Sequence, residues 1–288
     1  MRFFLVDVFG KTRYSGNQLA VFLDSGTLET GEMQSIAREI NFSETTFITA
    51  EEKVNGGYPV RIFTPVEEIV FAGHPTLGTA FILARYLEKE KPERLLLNLK
   101  IGQIPVSSEG DLWWMKQNQP HFGTVLDIWT VAELLGLDHH DVDHRFPIQE
   151  VSTGLPFAIV PLTGMDALKK AKINPDQYWK YIRTSTAKGF LVFCPETYEK
   201  SHDLSSRVFV DYLGIPEDPA TGSATGCLAA YLARYRMFGD DQLEMTIGQG
   251  YEIGRPSELK VKVKQNGEDY DIFVGGRVME VAEGNWKA

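Results

Sequence analysis

The chain has 288 residues, of which 43% are hydrophobic and 24% are charged. These values are typical of a globular protein long enough for two domains. The formal net charge of −10 and the pI of about 5.2 argue against nucleic acid or an anionic membrane as a partner.

In the first half, short apolar runs alternate with turn signals and two helical patterns. Residues 27–40 place apolar side chains on one helical face, with Thr30 as the expected N-cap. Residues 75–87 are apolar on almost every side, which is typical of a helix buried all round. Strands are expected at residues 3–9, 18–23, 45–49, 57–64, 94–99 and 104–107.

The boundary between the halves is expected at residues 120–130, followed by a short helix at 130–135. The second half contains another helix of buried type at 221–235. Its strands are expected at residues 157–160, 189–193, 207–212, 247, 251–253, 259–263, 270–274 and 278–281. Because helices and strands do not alternate strictly, we predict an α+β fold of two pseudo-symmetric halves, 1–120 and 121–288. Each half is a curled, mostly antiparallel sheet around its central helix, and the terminal strand can cross over.

An internal repeat relates the two central helices at an offset of 145 residues, about half the chain. Five of the 12 positions from Thr76 to Leu87 are identical at this offset. Upstream, Arg61-Ile-Phe matches Arg207-Val-Phe at an offset of 146. A repeat of two copies indicates a duplicated domain, whose halves we expect to face one site. Chance similarity between two alanine-rich helices is the alternative.

Glu44 is a candidate for proton transfer. It lies between Phe42 and Phe47, just before a β-rich run. Apolar surroundings raise the pKa of a carboxyl group and make it a usable proton carrier at neutral pH. The alternative is a surface glutamate in a capping box that starts at Asn41.

The starts of the two central helices form the second group of candidates. Gly73 and His74 precede Pro75, which fits the first position of a helix, where backbone N–H groups attract anions. His74 can also donate a hydrogen bond or relay a proton. In the second copy, Gly222 and Ser223 offer N–H groups and a hydroxyl, so two helix starts can bind one carboxylate.

Asp218 precedes Pro219, and at the repeat offset it corresponds to Gly73. A capping aspartate is the alternative for Asp218, and a histidine without chemistry is the alternative for His74.

Other polar features are interpreted as structural. Residues 138–144 lack the spacing of hydrolytic zinc sites and are expected to form an exposed loop, so no metal is predicted. Residues 248–250 and 275–276 are expected hairpin turns, and no nucleotide-binding glycine motif occurs. Cys227 is expected to be a packing residue, and two cysteines without a disulfide framework favour the cytoplasm. An acidic residue at Asp7 comes too early for a signal peptide, and no apolar run reaches membrane-spanning length.

Several segments together resemble the PhzF-like family of phenazine-biosynthesis-type isomerases, and the resemblance covers nearly the whole chain. The matching segments are Gly16-Asn17, Ser43-Glu44-Thr45, Phe63-Thr64-Pro65, Phe71-Ala-Gly-His-Pro-Thr-Leu-Gly78, Glu217-Asp-Pro-Ala-Thr-Gly-Ser-Ala224 and Gly254-Arg-Pro-Ser257. Gln18 and Ile69-Val70 depart from the family pattern, in which proline and Leu-Pro are frequent. We expect these changes to alter the cleft rather than the chemistry.

The resemblance implies a diaminopimelate epimerase-like fold, an active site in the cleft between the halves, a homodimer, and neither metal nor organic cofactor. It implies that Glu44 takes a proton from one carbon of a small unsaturated or cyclic carboxylate and returns it to another. Asp218 and His74 would hydrogen-bond the substrate and assist the transfer. Gly73, Gly222 and Ser223 would hold its carboxylate. Asn17 is expected in the cleft wall as a further substrate-binding residue.

Two other functions remain as alternatives. A two-base amino-acid epimerase of the diaminopimelate type uses a cysteine at each helix start, where this chain has Ala72 and Thr221. Neither residue can act as a thiolate base. A non-catalytic metabolite-binding protein is the other alternative, against which the complete set of Glu44, His74 and Asp218 argues.

Overall fold

The computed structural model describes residues 1–287. The first 116 residues form two α-helices and eight strands, listed here in chain order: β1 (Arg2–Val8), β2 (Asn17–Phe22), α1 (Thr30–Ile40), β3 (Thr45–Ile48), β4 (Tyr58–Phe63), β5 (Glu68–Ile69), α2 (Gly73–Tyr86), β6 (Arg94–Leu99), β7 (Gly102–Glu109) and β8 (Leu112–Lys116).

The remainder of the described chain forms ten strands, four α-helices and two short 3-10 helices at His139–Asp141 and Asp211–Leu213. The strands and α-helices are β9 (His121–Val125), α3 (Ile128–Leu134), β10 (Gln149–Ser152), β11 (Pro156–Pro161), α4 (Met165–Lys170), α5 (Pro175–Tyr181), β12 (Gly189–Cys194), β13 (Leu204–Val210), β14 (Ile215–Asp218), α6 (Gly222–Arg234), β15 (Gln242–Gln249), β16 (Ser257–Asn266), β17 (Asp269–Gly276) and β18 (Val278–Asn285).

The chain divides into two compact units. One contains Met1–Lys116 together with the chain from Gly275 onward, and the other contains Gln117–Val274. The predicted halves placed residues 275–288 in the second half, with a terminal strand able to cross over. In the structure, β18 pairs with β1 in the first unit. No helix among residues 1–287 has both the length and the apolar character of a membrane span.

The first unit is a mixed sheet around α2. Its strands run in the order β18-β1-β2-β3-β4-β6-β7-β8, and β5 forms a short hairpin with β4. Strands on every side contact α2, which is buried along nearly its whole length. Gly78 permits this close packing, since a Cβ atom there would lie 2.6 Å from Leu19 Cδ2. The predicted burial of this helix on all sides is confirmed.

The second unit repeats the arrangement of the first. Its strands run in the order β9-β10-β11-β12-β13-β15-β16, with β14 forming a short hairpin on β13. From β10 onward, each pairing has the same parallel or antiparallel sense as its counterpart from β1 onward. Helix α6 takes the place of α2 and contacts β10, β11, β15 and β16. Strand order and polarity therefore support a duplication rather than a chance similarity.

The helices align at an offset of 149, not at the predicted 145. Gly73 and Gly222 are the first residues of α2 and α6, and seven of the 14 positions from Gly73 to Tyr86 are identical at this offset. A shift of four residues is about one helical turn and keeps the same face, so apolar matches arise at both offsets. The correspondence of Asp218 with Gly73 is consequently wrong: Asp218 matches Ile69.

Some local predictions need correction. Glu29, not Thr30, is the N-cap of α1, and it forms a capping box with Glu32. Helix α2 begins at Gly73, so Pro75 is its third residue rather than its first. Residues 251–253, predicted as a strand, lie in a turn. The expected boundary at 120–130 contains β9, and residues 275–276, an expected turn, end β17.

Each unit also contains a bidentate ion pair that joins the two strands of the short hairpin before its central helix. In the first unit, Arg61 Nε and Nη2 donate to Glu68 at 2.8 and 2.9 Å. In the second, Arg207 Nε and Nη2 donate to Glu217 at 2.9 and 2.7 Å. Arg207 Nη1 also donates to three carbonyl oxygens, those of Leu168, Lys169 and Ala171. The arginines were visible in the sequence repeat, but their partners were not.

The two ion pairs predict unequal losses of stability on substitution by methionine. The Arg207 side chain is 8% exposed, whereas that of Arg61 is 29% exposed. Arg207→Met leaves Glu217 and three carbonyl groups without their buried donor, which we expect to cost about 3–5 kcal/mol. Arg61→Met, the matched control, is expected to cost about 1 kcal/mol or less because water can solvate Glu68. Urea unfolding measures both losses, and equal losses would contradict this account.

Candidate active site

Glu44 lies in the short connection between α1 and β3. Asn41 ends α1 as a left-handed C-cap with φ of 55°, so the alternative of a capping box starting at Asn41 is wrong. The Glu44 side chain is 16% exposed. Burial raises the pKa of Glu44 to about 7, although the neighbouring Ser43 hydroxyl acts in the opposite direction. A carboxyl group with this pKa exchanges protons readily at neutral pH.

One oxygen of Glu44 has an unmet capacity to accept a hydrogen bond. Glu44 Oε2 is enclosed and accepts no hydrogen bond from any residue that the structure describes. His74 Nε2 lies 3.4 Å from it, longer than the ~2.7–2.9 Å of a good charge-assisted hydrogen bond. A buried polar atom without a partner is rare and needs a reason, and a proton donor on a bound ligand would supply one.

His74 is the second residue of α2 and is buried. Its ring is directed toward Glu44 because the first turn of α2 begins beside the connection that carries the carboxylate. The structure therefore brings together two of the three predicted catalytic residues, both in the first unit.

Asn17 adds a third polar group to this part of the first unit. It is buried at the start of β2, and Ser43 Oγ donates to Asn17 Oδ1 at 3.3 Å. The preceding Gly16 has φ of +76°, and a Cβ atom there would lie 2.4 Å from the Val8 carbonyl oxygen. Only glycine suits this position, so the backbone conformation explains why glycine precedes Asn17. Asn17 holds Ser43, the neighbour of Glu44.

Asp218 is the last residue of β14, in the second unit, and is buried. The N-cap of α6 is Thr221, so the alternative in which Asp218 caps the helix is wrong. Instead, the Thr221 hydroxyl donates to Asp218 Oδ2. The carboxylate is thus fixed in a turn ahead of the helix.

The two helix starts share a local design. Ala72 and Thr221 are the N-caps, neither makes a side-chain capping bond, and neither helix has an acidic residue in its first turn. The first N–H groups of a helix have no partner within the helix and carry the positive end of its dipole. Gly73 and His74 in one unit, and Gly222 and Ser223 in the other, therefore present the chemistry that binds anions.

Two residues of this region were not predicted from the sequence. Thr221 binds Asp218, and Gln249 binds the turn that contains both of them. Gln249 was placed in an expected hairpin turn, whereas it is the last residue of β15. The hydrogen bonds of Gln249 span 28 or more residues, and contacts at that distance along the chain leave no signal in spacing or periodicity.

Other polar features behave as follows. The loop expected at residues 138–144 includes the short 3-10 helix His139–Asp141, whose N-cap Asp138 accepts from the His140 amide. Asp138, His139 and His140 can each offer one metal-ligand atom, but Asp138 already serves as a cap. Cys227 is fully buried against Thr153 and Leu155, so its prediction as a packing residue is confirmed.

A family model described as phenazine biosynthesis-like protein matches residues 6–284 of the chain. The chain belongs to the PhzF family. A trans-2,3-dihydro-3-hydroxyanthranilate isomerase of Pseudomonas aeruginosa is 34% identical over 292 residues, covering 98% of each chain. The PhzF membership predicted from sequence motifs is confirmed, and the protein is an isomerase.

Solved structures support the same assignment. A phenazine biosynthesis protein of the PhzF family from Bacillus anthracis is 29% identical, with a TM-score of 0.91 over 99% of this chain and 98% of that one. A probable proline racemase from Agrobacterium radiobacter shares only the fold, at 10% identity and a TM-score of 0.60, covering 99% and 92% of the two chains. The predicted α+β, diaminopimelate epimerase-like fold class is confirmed. The homodimer and the cytoplasmic location stay predictions.

Proposed function

We propose that this PhzF-family isomerase moves a proton between two carbons of a small unsaturated or cyclic carboxylate, with Glu44 as the acid and base. The observation that carries the proposal is the enclosed Glu44 carboxyl group, whose pKa is raised to about 7 by burial and whose Oε2 accepts no hydrogen bond within residues 1–287. Such a group can take a proton and, once protonated, give it back.

The proton shift conserves oxidation state. Glu44 removes a proton from one carbon, the electron pair of that C–H bond moves into the π-system, and a double bond shifts. The protonated carboxyl group then delivers a proton to a second carbon of the same molecule. The atoms and electrons balance within the substrate. A single residue suffices when its pKa is near the working pH.

Other predicted residues have supporting roles in this proposal. His74, 3.4 Å from Glu44, and Asp218, in its turn ahead of α6, hydrogen-bond hydroxyl or amino groups of the substrate. The N–H groups at Gly73 and at Gly222-Ser223 hold its carboxylate, which the acid-free first turns of both helices favour. Asn17 fixes Ser43 beside the base. That both units serve one substrate stays part of the proposal.

Isomerisation of trans-2,3-dihydro-3-hydroxyanthranilate, the compound in the name of the Pseudomonas aeruginosa relative, tests the proposal. Proton NMR in D2O should show conversion by the wild-type chain. Deuterium should appear at the receiving carbon to the extent that Glu44 exchanges its proton with solvent before returning it. If nothing is converted and no substrate C–H exchanges, this substrate is rejected. Deuterium exchange in a panel of other unsaturated carboxylates then tests the reaction class.

The two-base epimerase has less support. Its chemistry needs a thiol at each helix start, whereas Ala72 and Thr221 are the N-caps of α2 and α6. The two cysteines of the chain, Cys194 and Cys227, are buried, and burial raises the pKa of each thiol to about 11. A thiol with such a pKa supplies very little thiolate at neutral pH.

The rate should depend on pH through the ionisation of Glu44. The first step needs the carboxylate form, whose pKa is raised by burial to about 7. We therefore expect kcat/KM to rise about tenfold per pH unit at acid pH and to level off above about pH 7. Initial rates between pH 5 and 9 measure this profile. A profile that is flat from pH 5, with the half-point near the ordinary glutamate value, would contradict the proposed environment of Glu44.

A further inference from the structure

Gln249 makes a set of hydrogen bonds that binds one turn of the chain. It is the last residue of β15, and its side chain is fully buried. Nε2 donates to the Asp218 carbonyl oxygen at 2.8 Å and to Thr221 Oγ1 at 3.2 Å, while Oε1 accepts from the Thr221 amide at 3.3 Å. One amide group thus contacts both ends of the segment from Asp218 to Thr221.

These bonds also set the direction of the hydrogen bond to the Asp218 carboxylate. Because Gln249 Nε2 can only donate, Thr221 Oγ1 accepts from it and is left with its own proton to give. That proton goes to Asp218 Oδ2. The order Gln249 to Thr221 to Asp218 therefore keeps one carboxylate oxygen occupied and fixes the side chain in a single orientation.

The backbone next to Gln249 limits the turn on a second side. Gly250 has φ of +79°, and a Cβ atom there would lie 2.6 Å from the Pro219 carbonyl oxygen. In the sheet, β13 lies between β14 and β15, so Val208 pairs with Asp218 and Ser206 pairs with Gln249. Strand β13 therefore holds the turn by pairing with Asp218, and β15 holds it through the side chain of Gln249.

We propose that Gln249 is a positioning residue, which acts through Thr221 to orient Asp218 toward the substrate. This inference rests on the proposed function, in which Asp218 hydrogen-bonds the substrate. Gln249 itself touches no reacting atom. A displacement of about 1 Å in a substrate-contacting group can lower the rate by about two orders of magnitude. We therefore expect loss of the Gln249 hydrogen bonds to affect kcat through the orientation of the Asp218 carboxylate.

The test compares Gln249→Met with Gln149→Met in the full-length chain. Methionine keeps the approximate length and removes all three hydrogen bonds. Gln149 is the matched control, because it is also buried in the second unit, donates to the Gly123 carbonyl and accepts from Tyr235. Thr221→Val and Thr221→Ser complete the set, since the first removes the hydroxyl and the second keeps it.

We expect Gln249→Met and Thr221→Val to lower kcat by about 10- to 100-fold with little change in KM. Thr221→Ser should retain kcat within about threefold, and Gln149→Met should lose stability while keeping kcat. An unchanged kcat in Gln249→Met, or an equal loss in Gln149→Met, would overturn the positioning role. A purely structural glutamine would lower the unfolding midpoint in both variants and spare kcat in both.

Amide hydrogen exchange keeps this test independent of the choice of substrate. In Gln249→Met, the Thr221 amide should exchange at least tenfold faster, whereas the Thr225 amide, which donates to the Thr221 carbonyl, should stay protected. If the wild type converts no member of the substrate panel but the Thr221 amide exchanges faster in Gln249→Met, the proposed reaction is rejected, whereas the hydrogen bonding of the turn by Gln249 is supported. Unchanged exchange at Thr221 would overturn the inference whatever the activity.

Discussion

Replacing Glu44 with glutamine is expected to lower kcat/KM for the proton shift by about 10³-fold, within the ~10²–10⁴ range of general acid–base catalysis. The amide has nearly the shape of the carboxyl group but can neither take nor return a proton at neutral pH. KM should change little if the carboxylate of the substrate is bound at the helix starts. Steady-state kinetics of Glu44→Gln and of the wild type at pH 8 measure the loss.

Glu150→Gln is the matched control for this variant. Glu150 is another buried glutamate, and its carboxylate accepts from the Ser185 hydroxyl and the Ala187 amide, within the second unit. The same substitution there should leave kcat/KM within about threefold of the wild type. Equal turnover by Glu44→Gln and the wild type would remove Glu44 from the mechanism. An equal loss in both variants would indicate a general effect of neutralising a buried carboxylate.

The identity of the candidate residues could be predicted from the sequence more easily than their surroundings. The Ser-Glu-Thr and Gly-His-Pro motifs pointed to Glu44 and His74 because motif resemblance is carried by local order along the chain. The raised pKa of Glu44 depends instead on how completely the connection between α1 and β3 is enclosed, and that is a tertiary property. Phe42 and Phe47 indicated an apolar environment without indicating its depth.

Helical periodicity explains both a success and an error. The apolar residues of α2 cover its circumference, so its burial could be predicted from their positions in the sequence. The same periodicity allowed the two central helices to be aligned one turn out of register. Their ends, Gly73 and Gly222, correct the offset, and the bounds of a helix depend on hydrogen bonds that a sequence comparison does not contain.

Contacts between distant segments could not be predicted. Arg61 and Arg207 were matched as members of a repeat, yet their partners Glu68 and Glu217 lie at a different offset because the connecting turns differ in length. Gln249 presents the same difficulty, since its partners lie 28 or more residues away and on a different strand. Strand pairing brings such residues together, and the pairing follows from the topology of the whole unit.

Glu44→Gln should also be more stable than the wild type at alkaline pH. The pKa of Glu44 is raised from 4.5 to about 7 because burial disfavours its charged form. Below about pH 4.5 the group is protonated in both the folded and the unfolded chain and does not lower the free energy of unfolding. Between about pH 4.5 and 7 the unfolded chain ionises while the buried group of the folded chain keeps its proton, so the stability present at acid pH is lost progressively and the loss is complete above about pH 7. Glutamine is neutral throughout and avoids this cost.

The expected gain in the free energy of unfolding is at most about 3 kcal/mol at pH 8 and falls to nearly zero at pH 4.5. Urea unfolding of Glu44→Gln and the wild type at both pH values measures it, and Glu150→Gln, which disturbs a hydrogen-bonded carboxylate, should show no such gain. A loss of activity together with a pH-dependent gain in stability has a specific meaning. It would show that the protein keeps a destabilising buried acid for its chemistry, as expected of a group poised near neutral pH. A gain in the free energy of unfolding that is the same at pH 4.5 and pH 8 would indicate an effect of packing and would contradict the raised pKa of Glu44.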